Sequence, residues 1–128
     1  MKRESDIGIL HVPTLPVSLN GFPLGQAMID TGADVTILPM ELHNVLRVNL
    51  DAEHAMRMCS AGGGVFKAVP SATKITYSID HSGFRSIQWK GTVFFASEQP
   101  IILLGHFECL SKLKITLDGK RRKVCIEQ

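Results

Sequence analysis

The acidic residue Asp30 stands between two apolar segments in the run AMIDTGADVTILP, residues 27–39. Residues 27–29 are typical of the end of a buried strand, and residues 35–38 begin a second strand-like run. The threonine and glycine between them supply a small hydroxyl and a residue suited to a tight turn. Burying an unpaired carboxylate at a strand end is costly. A carboxylate held rigidly at such a turn is suited to general acid–base chemistry.

The elements that must position this aspartate are predicted to be mostly β, with one or two short helices. We expect strands over residues 9–19 and 22–29, joined by a turn at Asn20-Gly21, and over residues 73–80 and 86–96, joined by a turn at 80–83. A further strand is expected over residues 99–105. Residues 114–127 are expected to form a hairpin around Asp118-Gly119. The first of these is predicted to be an edge strand interrupted near Pro13 and Pro16. Short helices are expected over residues 40–46, after Pro39, and over residues 106–113.

Length and composition bound the class of protein. The chain has 128 residues, 45% of them hydrophobic, which predicts a single domain over residues 1–128. The net charge of +2 predicts no nucleic-acid partner, and no segment approaches the roughly 18 apolar residues of a membrane span. Cys59, Cys109 and Cys125 lack CxxC spacing and no signal peptide is evident, so we expect reduced thiols in a cytoplasmic protein. His54 and Cys59 form no recognisable metal set, and we expect neither metal nor cofactor.

Three further features occur in order along the chain. The motif D-T-G-A occupies residues 30–33 between apolar strands, and the glycine-rich segment 61–65 follows it. The run KGTVFFASEQPIILLG, residues 90–105, then closes on Leu103-Leu104-Gly105. Together these features resemble the retroviral-type aspartic proteases, the retropepsin-like group. The ending LLGHFECLSKLKITLD is especially similar to the single-domain bacterial members of that group.

The resemblance implies an all-β, closed-barrel fold with a flap hairpin. It implies that the catalytic residues are Asp30, Thr31 and Gly32, with Thr31 bonding across to a partner loop and Gly32 letting the backbone contact the carboxylate. It also implies that the run ending in Gly105 braces the loop that carries the aspartate. Substrate-binding residues are implied in that loop and in the flap: Ala33, Asp34, Gly62, Gly63, Gly64 and Val65.

Peptide hydrolysis by an aspartic protease uses two carboxylates, and one chain supplies only one of them. Two close carboxylates share a proton, because both do not ionise easily. The charged one takes a proton from the attacking water, and the other supplies a proton to the substrate oxygen. No second D-T-G or D-S-G occurs, and Asp80-His81-Ser82-Gly83 is one residue too long. The prediction is therefore an aspartic endopeptidase for peptide or protein substrates, built as a C2 homodimer with one Asp30 from each chain.

Alternative interpretations remain open at this point. A protease-fold dimer that binds peptides or protein partners without cutting them has the same sequence features, because fold does not fix function. A domain of a viral or transposon polyprotein is another, although the chain begins at Met1 and shows no obvious cleavage junctions. The glycines 62–64 are also compatible with a plain loop, the basic run 120–123 with a solvated turn, and Trp89 with the core.

The residue after the closing glycine departs from the family pattern. Retroviral members usually have arginine there, paired with the aspartate two residues after D-T-G, and here the two positions are His106 and Asp34. Histidine lacks arginine's five-donor fork and is charged only part of the time near neutrality. We therefore formulate the hypothesis that His106 approaches Asp34 and couples assembly to pH. The alternative is a neutral His106 that packs against the short helix.

Overall fold

The computed structural model describes residues 13–60, 62–80 and 85–128. Eleven strands and one short α-helix form within these residues. They are β1 (Thr14–Leu19), β2 (Phe22–Ile29), β3 (Ile37–Pro39), α1 (Leu42–Val45), β4 (Met56–Cys59), β5 (Val65–Pro70), β6 (Ile75–Ile79), β7 (Ile87–Gly91), β8 (Phe94–Ala96), β9 (Leu103–Leu104), β10 (Lys114–Asp118) and β11 (Lys123–Glu127). Among the described helices, none has the length and apolarity needed to span a membrane.

Nine of the strands form one sheet, in the order β4-β5-β8-β3-β9-β2-β1-β6-β7, and β10 and β11 form a separate hairpin. The all-β prediction is thus confirmed. The turn between β1 and β2 is also as expected, because Asn20 (φ 50°) and Gly21 (φ 83°) both adopt the left-handed backbone of a tight hairpin. Buried residues alternate along β1, so one of its faces packs on the core.

The short strand β9 lies between the two strands that flank Asp30. It pairs in parallel with β2, where Met28 and Ile29 face Leu103 and Leu104. It pairs with β3 on its other side, through Ile37 and Leu103. The two ends of the loop that carries Asp30 are therefore fixed to the same strand.

Two hydrophobic clusters support this arrangement. The larger one fills the space beneath β1, β2, β6 and β7. In it Trp89 stacks on Tyr77 with ring centroids 4.9 Å apart, so the prediction that Trp89 belongs to the core is confirmed. The smaller one joins β3, β5 and β8, and Met58 and Phe66 pack against it. Its buried members are Val35, Ile37, Ala68, Phe94 and Ala96.

The position of β1 corrects the expected edge strand. β1 lies inside the strand order, between β2 and β6. Pro16 is accommodated because β6 pairs only with Ser18 and Leu19, and the register against β2 shifts between Pro16 and Ser18. The missing proline N–H therefore removes no hydrogen bond on the β6 side. Residues 9–12 of the expected strand lie outside the described residues.

Glu108 interrupts both the strand expected over residues 86–96 and the helix expected over residues 106–113. The Glu108 Oε1 accepts the Thr92 N–H at 2.8 Å, so this N–H bonds to a side chain and β7 ends before β8 begins. The Glu108 carbonyl oxygen also lies so close to Gly91 that a Cβ at Gly91 would overlap it. The φ of Glu108, 53°, is left-handed, which ends a helix. The segment after β9 is therefore a turn followed by the short 3-10 helix Leu110–Lys112.

Other expected boundaries shift by a few residues. Pro39 ends β3, where it pairs with Ala96, and α1 begins only at Leu42. The strand expected over residues 99–105 is confined to β9. The last hairpin has its turn over residues 119–122, with the basic run exposed there as expected. Residues 81–83 of the expected turn after β6 lie outside the described residues.

Candidate active site

Asp30 opens a four-residue turn directly after β2. Its N–H donates to the Leu104 carbonyl at 3.0 Å, and the Ala33 N–H donates to the Asp30 carbonyl at 3.0 Å. The Gly32 N–H donates to Asp30 Oδ1, also at 3.0 Å. The carboxylate is half-buried, and its Oδ2 has no hydrogen-bond partner among the described residues. One oxygen is thus fixed by the loop itself, and the other remains available to water.

Gly32 provides space next to this carboxylate. Its φ lies outside the left-handed region, so backbone conformation alone does not call for glycine. A Cβ at this position would lie 3.3 Å from Asp30 Oδ1, which is tighter than ordinary contact. Glycine therefore lets the peptide N–H approach the carboxylate without a side chain in the way.

The segment after β9 supports the whole loop through consecutive backbone donors. The bonds run from Gly105 N–H to Thr36 Oγ1 at 3.1 Å, from His106 N–H to the Ala33 carbonyl at 3.0 Å and from Phe107 N–H to the Asp34 carbonyl at 2.8 Å. The loop is thereby held along its length, as the family resemblance implies for the Leu-Leu-Gly run.

Gly105 is the point of closest approach in this support. It is buried, and a Cβ there would lie 2.8 Å from the Val35 nitrogen and closer still to the Val35 carbonyl. Because the obstructing atoms belong to the backbone, no side-chain rotation relieves the overlap. Only glycine permits the two segments to lie this close.

A buried layer adjoins the loop at Thr36. Burial raises the pKa of the Cys109 thiol to about 11 and raises the pKa of Tyr77 well above its ordinary value. The Tyr77 hydroxyl oxygen is buried without a hydrogen-bond partner in the described part of the chain.

A cleft with a volume of about 650 Å³ opens at the loop. Four of the sequence-predicted site residues line it: Asp30, Gly32, Ala33 and Asp34. Another part of the lining comes from β4, with Met56, Arg57 and Met58, which the sequence patterns had not indicated as a strand or a site. The alternation of apolar and polar residues in this segment is the pattern that could have predicted a strand.

The predicted flap glycines lie at the tip of the β4–β5 hairpin. Gly63 has a φ of 90°, and its N–H donates to the Ser60 carbonyl at 2.9 Å. Gly64 and Val65 line a second cavity of about 190 Å³ next to the cleft, whereas Gly62 and Gly63 line neither cavity. Val65 is 57% exposed, so the tip presents apolar surface. The glycines thus lie in the turn of the β4–β5 hairpin, whose strands contribute to the lining of the cleft.

His106 does not pair with Asp34 within the chain, which corrects the hypothesis of an ion pair. Its Nε2 lies 2.8 Å from the Thr31 carbonyl oxygen instead. Histidine has a shorter side chain than arginine, and the acceptor that it reaches is this carbonyl. Thr31 itself is exposed, and its hydroxyl makes no hydrogen bond to another described residue.

The family model of the retroviral aspartyl proteases matches residues 9–118. The chain belongs to the retroviral aspartyl protease family. Comparison with curated protein sequences finds no match.

Solved structures show the same retropepsin-like fold at low sequence identity. The EIAV protease in complex with the inhibitor HBY-793 is 24% identical, with 77% of this chain and 86% of that one covered and a TM-score of 0.53. A retropepsin-like aspartic protease from Rickettsia conorii is 20% identical over 89% and 88% of the two chains, with a TM-score of 0.55. The retroviral protease-like domain of Ddi1 from Leishmania major is 15% identical over 93% and 90%, with a TM-score of 0.59.

Family membership confirms the predicted retropepsin-like resemblance and fold, including a bacterial relative among the solved structures. In this retroviral aspartyl protease family member, the D-T-G loop, the closing strand and the glycine-tipped hairpin surround one cleft. The roles of the individual residues, and the extent of the single domain, stay predictions.

Proposed function

We propose that the protein is an aspartic endopeptidase that works as a homodimer, with one Asp30 contributed by each chain. The observation that carries the proposal is the Asp30 carboxylate at the cleft, with one oxygen fixed by the Gly32 N–H and the other without a partner among the described residues. Family membership supports peptidase activity, and the presence of one D-T-G per chain supports a dimer.

The chemistry follows from two such carboxylates facing each other. Two close carboxylates hold one proton between them, because the second ionisation brings like charges together. The charged carboxylate accepts a proton from water as the water attacks the scissile carbonyl, and the protonated one donates to the carbonyl oxygen. The fixed orientation of Asp30 contributes by keeping its free oxygen aimed at the water.

The substrate in this proposal is an extended peptide segment that lies along the cleft. The β4–β5 hairpin forms one wall and is the flap that closes over the peptide, excluding water from the reacting bond. Its tip glycine, Gly63, adopts a left-handed φ that most residues disfavour, which suits a tight tip able to move as a unit. Apolar side chains of the hairpin, including Met58 and Phe66, face the peptide.

The dimer in this proposal forms through the loops that carry the catalytic acids. Thr31 is exposed beside Asp30, and its hydroxyl makes no bond to another described residue, so it is available to a partner loop. A C2 axis between the two loops places identical residues opposite each other. Each loop then supports its neighbour as well as its own carboxylate.

The test is digestion of a diverse peptide library by the purified protein across a pH range. We expect cleavage by the wild type and none by Asp30→Asn, which remains a folded dimer. Asp80→Asn is the matched control, because Asp80 also follows a strand directly but lies outside the two cavities described above. Cleavage by Asp30→Asn contradicts the assignment. A wild type that binds peptides without cutting them identifies the non-catalytic alternative.

A further inference from the structure

One peptide group of the D-T-G turn is hydrogen-bonded on both sides. Its carbonyl, from Thr31, lies 2.8 Å from His106 Nε2. Its N–H, from Gly32, donates to Asp30 Oδ1 at 3.0 Å. The imidazole is therefore linked to the carboxylate through a single peptide plane.

The direction of these bonds is fixed by the groups involved. A carbonyl oxygen only accepts, so Nε2 of His106 carries the hydrogen. Hydrogen bonds in series polarise one another, so a peptide whose carbonyl accepts a bond becomes a better N–H donor. The contact at Thr31 thus strengthens the bond from Gly32 to the carboxylate and restrains the tilt of the peptide plane.

We propose that His106 is a positioning residue for Asp30 and acts through the Thr31–Gly32 peptide. The inference rests on the proposed function, because it assigns His106 a part in the orientation of the catalytic carboxylate. It replaces the expected charge pair with Asp34 by a donor contact to the Thr31 carbonyl. The residue that departs from the retroviral pattern thereby supports the same loop by other means.

The backbone around His106 is built to hold the imidazole in place. Its N–H donates to the Ala33 carbonyl at 3.0 Å, within the turn that its side chain contacts. Its own carbonyl accepts the Ser111 N–H at 3.1 Å, which ties the residue to the following 3-10 helix. Because main chain and side chain both bond to the Asp30 turn, the imidazole remains in register with Thr31.

Two substitutions separate positioning from general structural support. In His106→Gln, the amide nitrogen lies where Nε2 lay, so the donor to Thr31 is kept. In His106→Asn, the side chain is too short to reach it. We expect His106→Asn to lower kcat about tenfold with little change in KM, since a small misplacement of a catalytic group slows the reaction strongly. We expect His106→Gln to restore kcat to within about threefold of the wild type.

The Gly32 amide proton gives a readout that does not depend on catalysis. In NMR spectra, His106→Asn should shift this proton upfield and speed its exchange with solvent, whereas His106→Gln should leave both close to wild type. Asp30→Asn, which removes the charged acceptor, is the positive control for the shift. Sedimentation and circular dichroism verify that all variants are equally folded and assembled.

The outcomes separate this inference from the proposed function. Equal kcat losses in His106→Asn and His106→Gln, a loss confined to KM, or a Gly32 amide that does not respond to His106→Asn overturn the positioning role. If the wild type cleaves no peptide while the Gly32 amide still responds as expected, the link to Asp30 stands and the proposed function fails.

Discussion

The substitution Gly105→Ala tests whether the Asp30 loop depends on close backbone packing. The added Cβ would lie 2.8 Å from the Val35 nitrogen and closer to the Val35 carbonyl, whereas real Cβ contacts below 3.0 Å essentially never occur. The two backbone segments must therefore move apart. That movement strains the three hydrogen bonds that join residues 105–107 to the Asp30 loop.

The expected cost follows from these contacts. Three hydrogen bonds at about 1 kcal/mol each contribute about 3 kcal/mol, and overpacking of a buried site adds about 1–3 kcal/mol. The sum, about 4–6 kcal/mol, is a large part of the roughly 5–15 kcal/mol that stabilises a typical domain. Gly62→Ala is the matched control, because its Cβ would meet no atom within 4 Å and its φ is not left-handed.

The assay is urea unfolding followed by circular dichroism, at one fixed protein concentration because the stability of a dimer depends on concentration. We expect Gly105→Ala to lose about 4–6 kcal/mol of its free energy of unfolding, and to lose its peptidase activity. Gly62→Ala should change the free energy of unfolding by less than about 1 kcal/mol. A Gly105→Ala protein as stable as Gly62→Ala would refute the role assigned to this close approach.

Three other predictions concern separate parts of the molecule. The Lys74 ammonium, 2.7 Å from the Glu108 carboxylate, and then the Thr92 N–H lower the pKa of Glu108 below its ordinary 4.5. The charged carboxylate therefore stabilises the fold above pH 4.5, and this stabilisation is lost as the pH falls through the lowered pKa. Glu108→Gln should lower the free energy of unfolding in urea by about 1–2 kcal/mol at pH 7 and leave it unchanged at acidic pH. Gly63→Val should reduce turnover more than dimer stability, because valine disfavours the φ of 90° at the hairpin tip; full activity would argue against a flap. Ala33→Ser should move the acidic limb of the rate profile to lower pH by adding a donor to the charged carboxylate, and an unchanged or upward limb would contradict this.

Local patterns were sufficient to predict the Asp30 turn and the first hairpin. An acid, a small hydroxyl and a glycine between apolar runs specify a strand-turn-strand unit, and Asn20-Gly21 specifies a tight hairpin turn. The glycine-rich segment was also visible, and glycine tolerates the φ of Gly63, but its place in a flap hairpin was implied only by the family resemblance. For the Asp30 turn and the first hairpin, the determining interaction is between residues close in sequence.

Elements that depend on distant contacts could not be predicted in this way. Glu108 meets Gly91, Thr92 and Trp89. The break between β7 and β8 and the shortening of the helix expected after β9 to the 3-10 helix Leu110–Lys112 both depend on these contacts. No local pattern reveals those contacts, and residues 86–96 alone favour one continuous strand. The contact of His106 with a carbonyl rather than with Asp34 likewise depends on how the loops pack.

Subunit mixing tests most directly the claim that each chain supplies one of two catalytic carboxylates. Wild type and Asp30→Asn are mixed at constant total concentration and allowed to exchange before activity is measured. Heterodimers hold a single Asp30 carboxylate and should be inactive. About a quarter of the dimers in an equal mixture contain two wild-type chains, so the mixture should retain about a quarter of the wild-type activity. Retention of about half, in proportion to the wild-type chains present, would show that each chain acts alone and would contradict the shared active site.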